Sequence, residues 1–359
     1  MSKVALAIKY RPKTWGDVCE QKYIKDILEN QIKTNSIKNA YLFCGGAGTG
    51  KTTTARIFAN EINEKQGNPI EVDAASNNGV DNVRTIIDDA KFKPLESKYK
   101  VYIIDECHML STGAWNAMLK LLEEPPKTTI FILCTTDPQK IPGTILSRVQ
   151  RYDFQRISFE GIVERLNYII DMENFENKPQ ILTNDIELDR EIFNDNHIDF
   201  EKEAIEYIAK VADGGMRDAI SLMDKCLSFN KKLTVDNVVK ALGISDYDNL
   251  NKLVEYILCN NSKGCIDIIE NIYRNGKDLK QFIKQSIQFV LDISKYLIYE
   301  SYDYIQIPNT IDLKYYKDFE YDNILDILDM LLDLSNKIKY ETNPKISIES
   351  KLLIICKGR

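Results

Sequence analysis

Lys51 stands where a lysine can bind phosphate. It lies in the run Gly45-Gly46-Ala47-Gly48-Thr49-Gly50-Lys51-Thr52-Thr53, which fits G-x4-G-K-[ST] between Gly45 and Thr52. Glycines let the backbone curl so that successive N–H groups point at phosphate oxygens. A helix beginning at the end of the run adds partial positive charge, Lys51 adds a full charge, and the Thr52 hydroxyl can ligate Mg²⁺. The bland alternative is a glycine turn ahead of a helix. The apolar run Tyr41-Leu42-Phe43-Cys44 on one side and helix-compatible residues 52–60 on the other favour a nucleoside triphosphate site.

A second chemical pair, Asp105-Glu106, ends the apolar run Val101-Tyr102-Ile103-Ile104. Adjacent carboxylates beside a phosphate loop can divide labour: Asp105 holds Mg²⁺, and Glu106 orients the attacking water or takes its proton. Asp105-Glu106-Cys107-His108 also reads as the DExH box of superfamily-two helicases. That reading needs a second motor domain, and the helical remainder offers none. No N-K-x-D motif for guanine occurs, so ATP is favoured over GTP.

The elements that must position these residues follow from periodicity. Short apolar strands at 41–44, 70–73, 100–104 and 129–134 alternate with helices near 23–34, 52–60, 80–91 and 112–124, the last stopped by Pro125-Pro126. Such alternation predicts a parallel α/β sheet with its ligand site at the carboxyl ends of the strands. Residues 3–21 read as an extended leading segment, and 141–147 as a short helix. After Phe159 the strand signal stops: 160–172 and 200–229 read as helical, and from Asp246 onward the pattern is helical throughout. The stretch 173–199, rich in Asn, Asp and Glu, reads as a long loop or partly ordered insertion.

Composition narrows the classes. The 359 residues are 44% hydrophobic and 28% charged with a net charge of −7, which argues against generic coating of nucleic acid. No apolar run approaches the ~18 residues of a membrane span, and the first residues carry too short an apolar run for a signal peptide. Eight cysteines without a CxxC pair read as reduced thiols of a cytoplasmic protein, with no zinc site.

Taken together, KYRPKTWGDV, GGAGTGKTTTARIFA, EVDAAS, KVYIIDECHML, NAMLKLLEEPP and TTDPQKIPGTILSR, followed by GGMRDAISLMD at 214–224 and NPKISIESKLLII at 343–355, resemble the AAA+ ATPase subunit of DNA polymerase clamp loaders, of the bacterial gamma/tau type. The resemblance implies an AAA+ P-loop parallel-sheet domain over 1–160. A helical lid over 161–242, carrying the 173–199 insertion, and a helical collar over 243–359 that assembles a ring would follow. It assigns Thr136 to sensor 1, between the γ-phosphate and the water. Arg148 in Ser147-Arg148-Val149 would reach the neighbouring subunit's ATP, and Arg217 would be sensor 2 on the lid. Tyr10, Arg11 and Pro12 would close over the adenine.

Four departures from the family pattern stand out. No four-cysteine zinc module lies between Glu61 and Pro69. Asn77-Asn78-Gly79 replace basic residues, so DNA contact would rest on Ser76, Asn77, Asn78, Gly79 and Lys140. Val149 stands where a cysteine is expected, and the lid carries the insertion. The departures imply a trimmed member from the cytoplasm of a bacterial or phage-infected cell, and an end just after the collar implies a short form without a polymerase-binding tail. The implied function is ATP- and Mg²⁺-dependent loading of a sliding clamp onto primer–template DNA, in a pentameric ring of loader subunits, homo- or hetero-oligomeric. Two rivals remain: a ring subunit that binds nucleotide without hydrolysing it, and another AAA+ remodeller of DNA, which would carry a winged helix at its C-terminus.

Overall fold

Five short segments pair in parallel into one sheet: β1 (Ala40–Cys44), β2 (Ile70–Asp73), β3 (Lys100–Asp105), β4 (Thr129–Thr135) and β5 (Gln150–Asp153). Their order is β2-β3-β4-β1-β5. Both β1 and β4 are buried along their whole length, because both faces of the sheet are covered; central parallel strands therefore read as unbroken apolar runs. One face packs Leu42, Phe131 and Leu133 with Trp115 and Met118. The other packs Tyr41, Phe43 and Ile132 with Phe58.

The computed structural model describes residues 4–176, 197–242, 247–302, 305–307 and 312–356. It divides into two compact units, Met1–Lys232 and Leu233–Arg359. In the first, the sheet is accompanied by α1 (Leu6–Lys9), α2 (Lys22–Lys33), α3 (Lys51–Ile62), α4 (Val80–Ala90), α5 (Thr112–Glu123) and α6 (Gly143–Leu146), followed by the helices α7 (Phe159–Glu176), α8 (Lys202–Val211) and α9 (Met216–Phe229). Ser111 caps α5 by accepting the Ala114 N–H, one of the donors a helix start leaves unpaired.

Several elements differ from their sequence expectation. The fifth strand, Gln-Arg-Tyr-Asp, was not expected: only Tyr152 is buried in it, so an edge strand of four residues carries no apolar run to detect. The leading segment is not extended throughout, since it contains α1 and a 3₁₀ turn at Trp15–Asp17, where the Asp17 carboxylate accepts the Thr14 N–H and hydroxyl. The helix expected at 141–147 shortens to α6 because Pro142 sits at its N-cap. The helical stretch expected over 200–229 breaks at Asp213 and Gly214, both with left-handed backbone.

The insertion expected to begin at 173 starts as helix instead. α7 runs to Glu176, and Glu173 is buried on it. Its carboxylate accepts the Tyr10 hydroxyl at 2.8 Å and pairs with Lys9, which also reaches Glu176. Residues 177–196 of that stretch lie outside the described residues.

The second unit is helical: α10 (Val235–Leu242), α11 (Tyr247–Leu258), α12 (Ser262–Arg274), α13 (Leu279–Tyr299), α14 (Tyr321–Ile338) and α15 (Pro344–Ile355). Phe282, Ile283, Val290 and Ile293 of α13 pack with Leu331, Leu334, Ile348 and Leu352; Ile283, Val290 and Ile293 follow the i, i+7 and i, i+3 spacings of an apolar helix stripe. Asp292 is fully buried on the same helix. It accepts the Gln288 amide and the Gln306 and Ile307 backbone N–H groups at 2.9–3.0 Å.

Candidate nucleotide site

The strand order decides what meets at the site. Because β4 lies between β1 and β3, the residues leaving β4 emerge between the phosphate loop after β1 and the acidic pair ending β3. A cavity of about 450 Å³ opens there, lined by Tyr10 to Pro12, Ala47 to Thr53, Asp105, Glu106 and Arg217. Most of the residues singled out from sequence thus line one space.

At its phosphate end, Lys51 is buried and donates to the carbonyls of Gly45 and Gly46 at 2.8 and 2.7 Å. Burial is the main influence on Lys51 and lowers its pKa, while Glu106 and Asp105 work the other way; anionic phosphate oxygens would do so more strongly. The Thr52 hydroxyl donates to Asp105 Oδ2 at 2.8 Å. A hydroxyl and a carboxylate this close are hard oxygen ligands of the kind Mg²⁺ takes beside phosphates, so the residues present fit that ion. Glu106 Oε2 accepts the Thr136 hydroxyl at 2.8 Å. Thr136 therefore meets the water-activating candidate directly, although it does not itself line the cavity.

The helical segment after the sheet closes over the loop through backbone. The Met216 N–H at the start of α9 donates to the Gly48 carbonyl at 3.1 Å. Gly48 has φ +69°, and a Cβ on it would stand 3.0 Å from the Gly215 Cα; only glycine allows both that conformation and that approach. This contact brings Arg217 to the cavity.

At the other end, the leading segment is held by α7 and α9. Arg165 donates to the Tyr10 carbonyl at 3.0 Å, and the Leu6 N–H donates to Asp224 at 3.1 Å. Burial first, and then the Glu173 carboxylate, push the Tyr10 hydroxyl up to about 12. Arg11 leans toward the phosphate loop, its Nε 3.4 Å from the Thr53 hydroxyl. Burial lowers its pKa, helped by the charges of Arg56 and Arg217.

Other expected residues lie elsewhere. Arg148 does not line this cavity: it is bonded to the Thr144 carbonyl and, at 2.5 Å, to Glu123. Lys140 is exposed and pairs with Asp137 at 3.0 Å. Ser76 and Asn77 bond back to Asp73, Asn78 accepts the Ser111 N–H, and Gly79 precedes α4. Sequence reasoning missed Glu173 and Arg165, which hold the Tyr10 segment, and it gave His108 no place at this site. His108 was visible only as the last letter of a helicase-like tetrad.

Parallel sheet, phosphate loop, acidic strand end and helical lid define an AAA+ P-loop fold. A family model described as the delta subunit of DNA polymerase III matches residues 68–158, and one described as the ATPase lid domain of the DNA polymerase III clamp loader subunit matches 188–232. The DNA polymerase III subunit gamma of Buchnera aphidicola subsp. Acyrthosiphon pisum is 30% identical, over 98% of this chain and 98% of that protein. The subunit tau of Bacillus subtilis is 35% identical over 99% of this chain but 64% of its own length. The tau/gamma subunit of Haemophilus influenzae is 38% identical over 72% of this chain and 37% of its own. This chain thus spans less than two thirds of those two longer relatives. Among solved structures, the Holliday junction branch migration motor RuvB of Thermotoga maritima is 20% identical with a TM-score of 0.49, covering 69% of this chain and 79% of that one. The chain belongs to the DNA polymerase III gamma/tau subunit family.

Proposed function

We propose that this chain is the ATP-hydrolysing subunit of a sliding-clamp loader. One observation carries the reading: the Thr52–Asp105 and Thr136–Glu106 hydrogen bonds converge beside Lys51 at the ends of adjacent strands. Lys51 and the N–H groups of the loop hold the β- and γ-phosphates. Thr52 and Asp105 would hold Mg²⁺, which would neutralise phosphate charge there. Glu106 takes a proton from water as its oxygen bonds the γ-phosphorus and the bond to the β-phosphate oxygen breaks, giving ADP and phosphate.

Arg217 reaches the same phosphates from the lid. Tyr10, Arg11 and Pro12 close the base end. Arg148, held away from its own phosphate loop, completes the ATP site of a neighbouring copy or subunit, so the active unit is a ring with other loader subunits. The lid extends through about residue 242 and the collar follows. ATP binding shapes the ring to hold an open clamp on primer–template DNA, with Ser76 to Gly79 and Lys140 toward the strand, and hydrolysis releases both. The chain works in the cytoplasm and needs no zinc.

The test is Glu106→Gln. It keeps ATP affinity near the parental value and lowers turnover by roughly 10²–10⁴, measured by fluorescent-nucleotide titration and phosphate release. Parental turnover would remove Glu106 as the base.

A further inference from the structure

Glu106 leaves β3 with left-handed backbone, φ 46° and ψ 42°. Few non-glycine residues adopt this conformation, and it clusters at functional sites. The direction of its carboxylate is then set by what binds it. Thr136 is one partner. On the same oxygen, Oε2, lies His108 Nδ1 at 3.3 Å, on a side chain that is only 11% exposed.

A carboxylate only accepts, so this contact is a hydrogen bond only when Nδ1 carries the proton. The same nitrogen is 3.1 Å from the Thr135 hydroxyl, which accepts the Asp137 N–H at 3.0 Å. The imidazole therefore lies between the carboxylate, the end of β4 and the turn from Asp137 to Lys140. Thr136 donates to Oε2, and His108 Nδ1 stands beside the same oxygen. Among the described residues no donor is directed at Oε1.

We infer that His108 is a positioning residue for Glu106. With Thr136 it pins Oε2, so that Oε1 is the oxygen turned to the water, and it ties the carboxylate to the Asp137 turn. This rests on the hydrolysis proposed above. A histidine that merely fills space would be replaceable by any residue that packs. One that donates from Nδ1 is replaceable only by a group with a donor at that reach. The amide nitrogen of asparagine falls near the place of Nδ1, and that of glutamine near the place of Nε2.

The experiment is steady-state ATP hydrolysis by the full chain, alone and with the other subunits of its loader, for His108→Ala, His108→Asn and His108→Gln beside Glu106→Gln. His108→Ala lowers kcat about tenfold or more with KM for ATP nearly unchanged. His108→Asn recovers most of that loss, and His108→Gln does not. Combining His108→Ala with Glu106→Gln gives no further loss, because the histidine acts through the glutamate. Parental kcat in His108→Ala, or equal losses in all three variants with lowered melting temperatures, overturns the inference. If Glu106→Gln itself hydrolyses ATP normally, the hydrolysis reading fails. If only Glu106→Gln is inactive, that reading stands and the His108 inference fails.

Discussion

The two units treat buried charge in opposite ways. In the helical unit, Asp292 is shut in by Gln288 and two backbone N–H groups, which leaves it no role but holding the segment at 306–307 against α13. In the nucleotide unit, Lys51 is also buried, yet its partners are the carbonyls of its own loop. On the proposed reading, phosphate oxygens take the place of those carbonyls when nucleotide binds. Burial shifts both groups toward their neutral forms, Asp292 upward and Lys51 downward. A buried charge with closed partners holds a structure; one with exchangeable partners can hold a ligand.

Exchanging the losses between units puts that contrast at risk. Lys51→Ala should reduce ATP affinity by roughly a hundredfold or more, the scale of a lost charge-assisted contact to phosphate, and leave the urea midpoint of the nucleotide-free chain close to parental. Phe282→Ala should do the reverse. That side chain is fully buried in the helical core, and its loss costs about 3–5 kcal/mol of stability, while ATP affinity is retained under conditions where the chain stays folded. Isothermal titration and urea unfolding of both variants would break the contrast if either mutation moved both quantities.

A smaller effect sharpens it. Burial raises the Asp292 carboxyl above its ordinary 3.8, against the hydrogen bonds it accepts. The folded state then prefers the protonated acid. Its contribution is full below the unfolded pKa and is lost as pH rises through the raised folded value. Asp292→Asn removes this dependence, so its stability relative to the parent should improve as pH rises from below 3.8 toward neutrality. A difference that stays constant across that range would show that the hydrogen bonds outweigh burial.

The phosphate end of the site was legible because its residues are close in sequence. Gly45 to Thr53 and Asp105-Glu106 each form a contiguous motif, and the apolar runs before them mark buried strands. Four of the five strands could be read for the same reason. What escaped depends on partners far along the chain. Glu173 meets Tyr10 across more than 160 positions, and no spacing rule connects them. β5 is an edge strand with one buried side chain, and the break between α8 and α9 is set by packing of Gly215 against Gly48. His108 lies two residues from Glu106, but its meaning depends on Thr135, brought alongside by sheet register.

In the proposed ring, ATP is hydrolysed at a site completed by a neighbour. Arg148 is planar and permanently charged, suited to bridging phosphate oxygens as charge builds. Here it is bonded to Glu123 and Thr144, apart from its own cavity. Trans-acting arginines contribute roughly 10³–10⁵ in rate. The decisive measurement is phosphate release from rings mixed from Arg148→Ala and Glu106→Gln chains, with mixed composition verified by native mass spectrometry. Each variant alone should be inactive, and the mixture should regain part of the parental rate at interfaces that pair an intact Arg148 with an intact Glu106. A mixture as inactive as its components, in rings shown to contain both chains, would contradict the account.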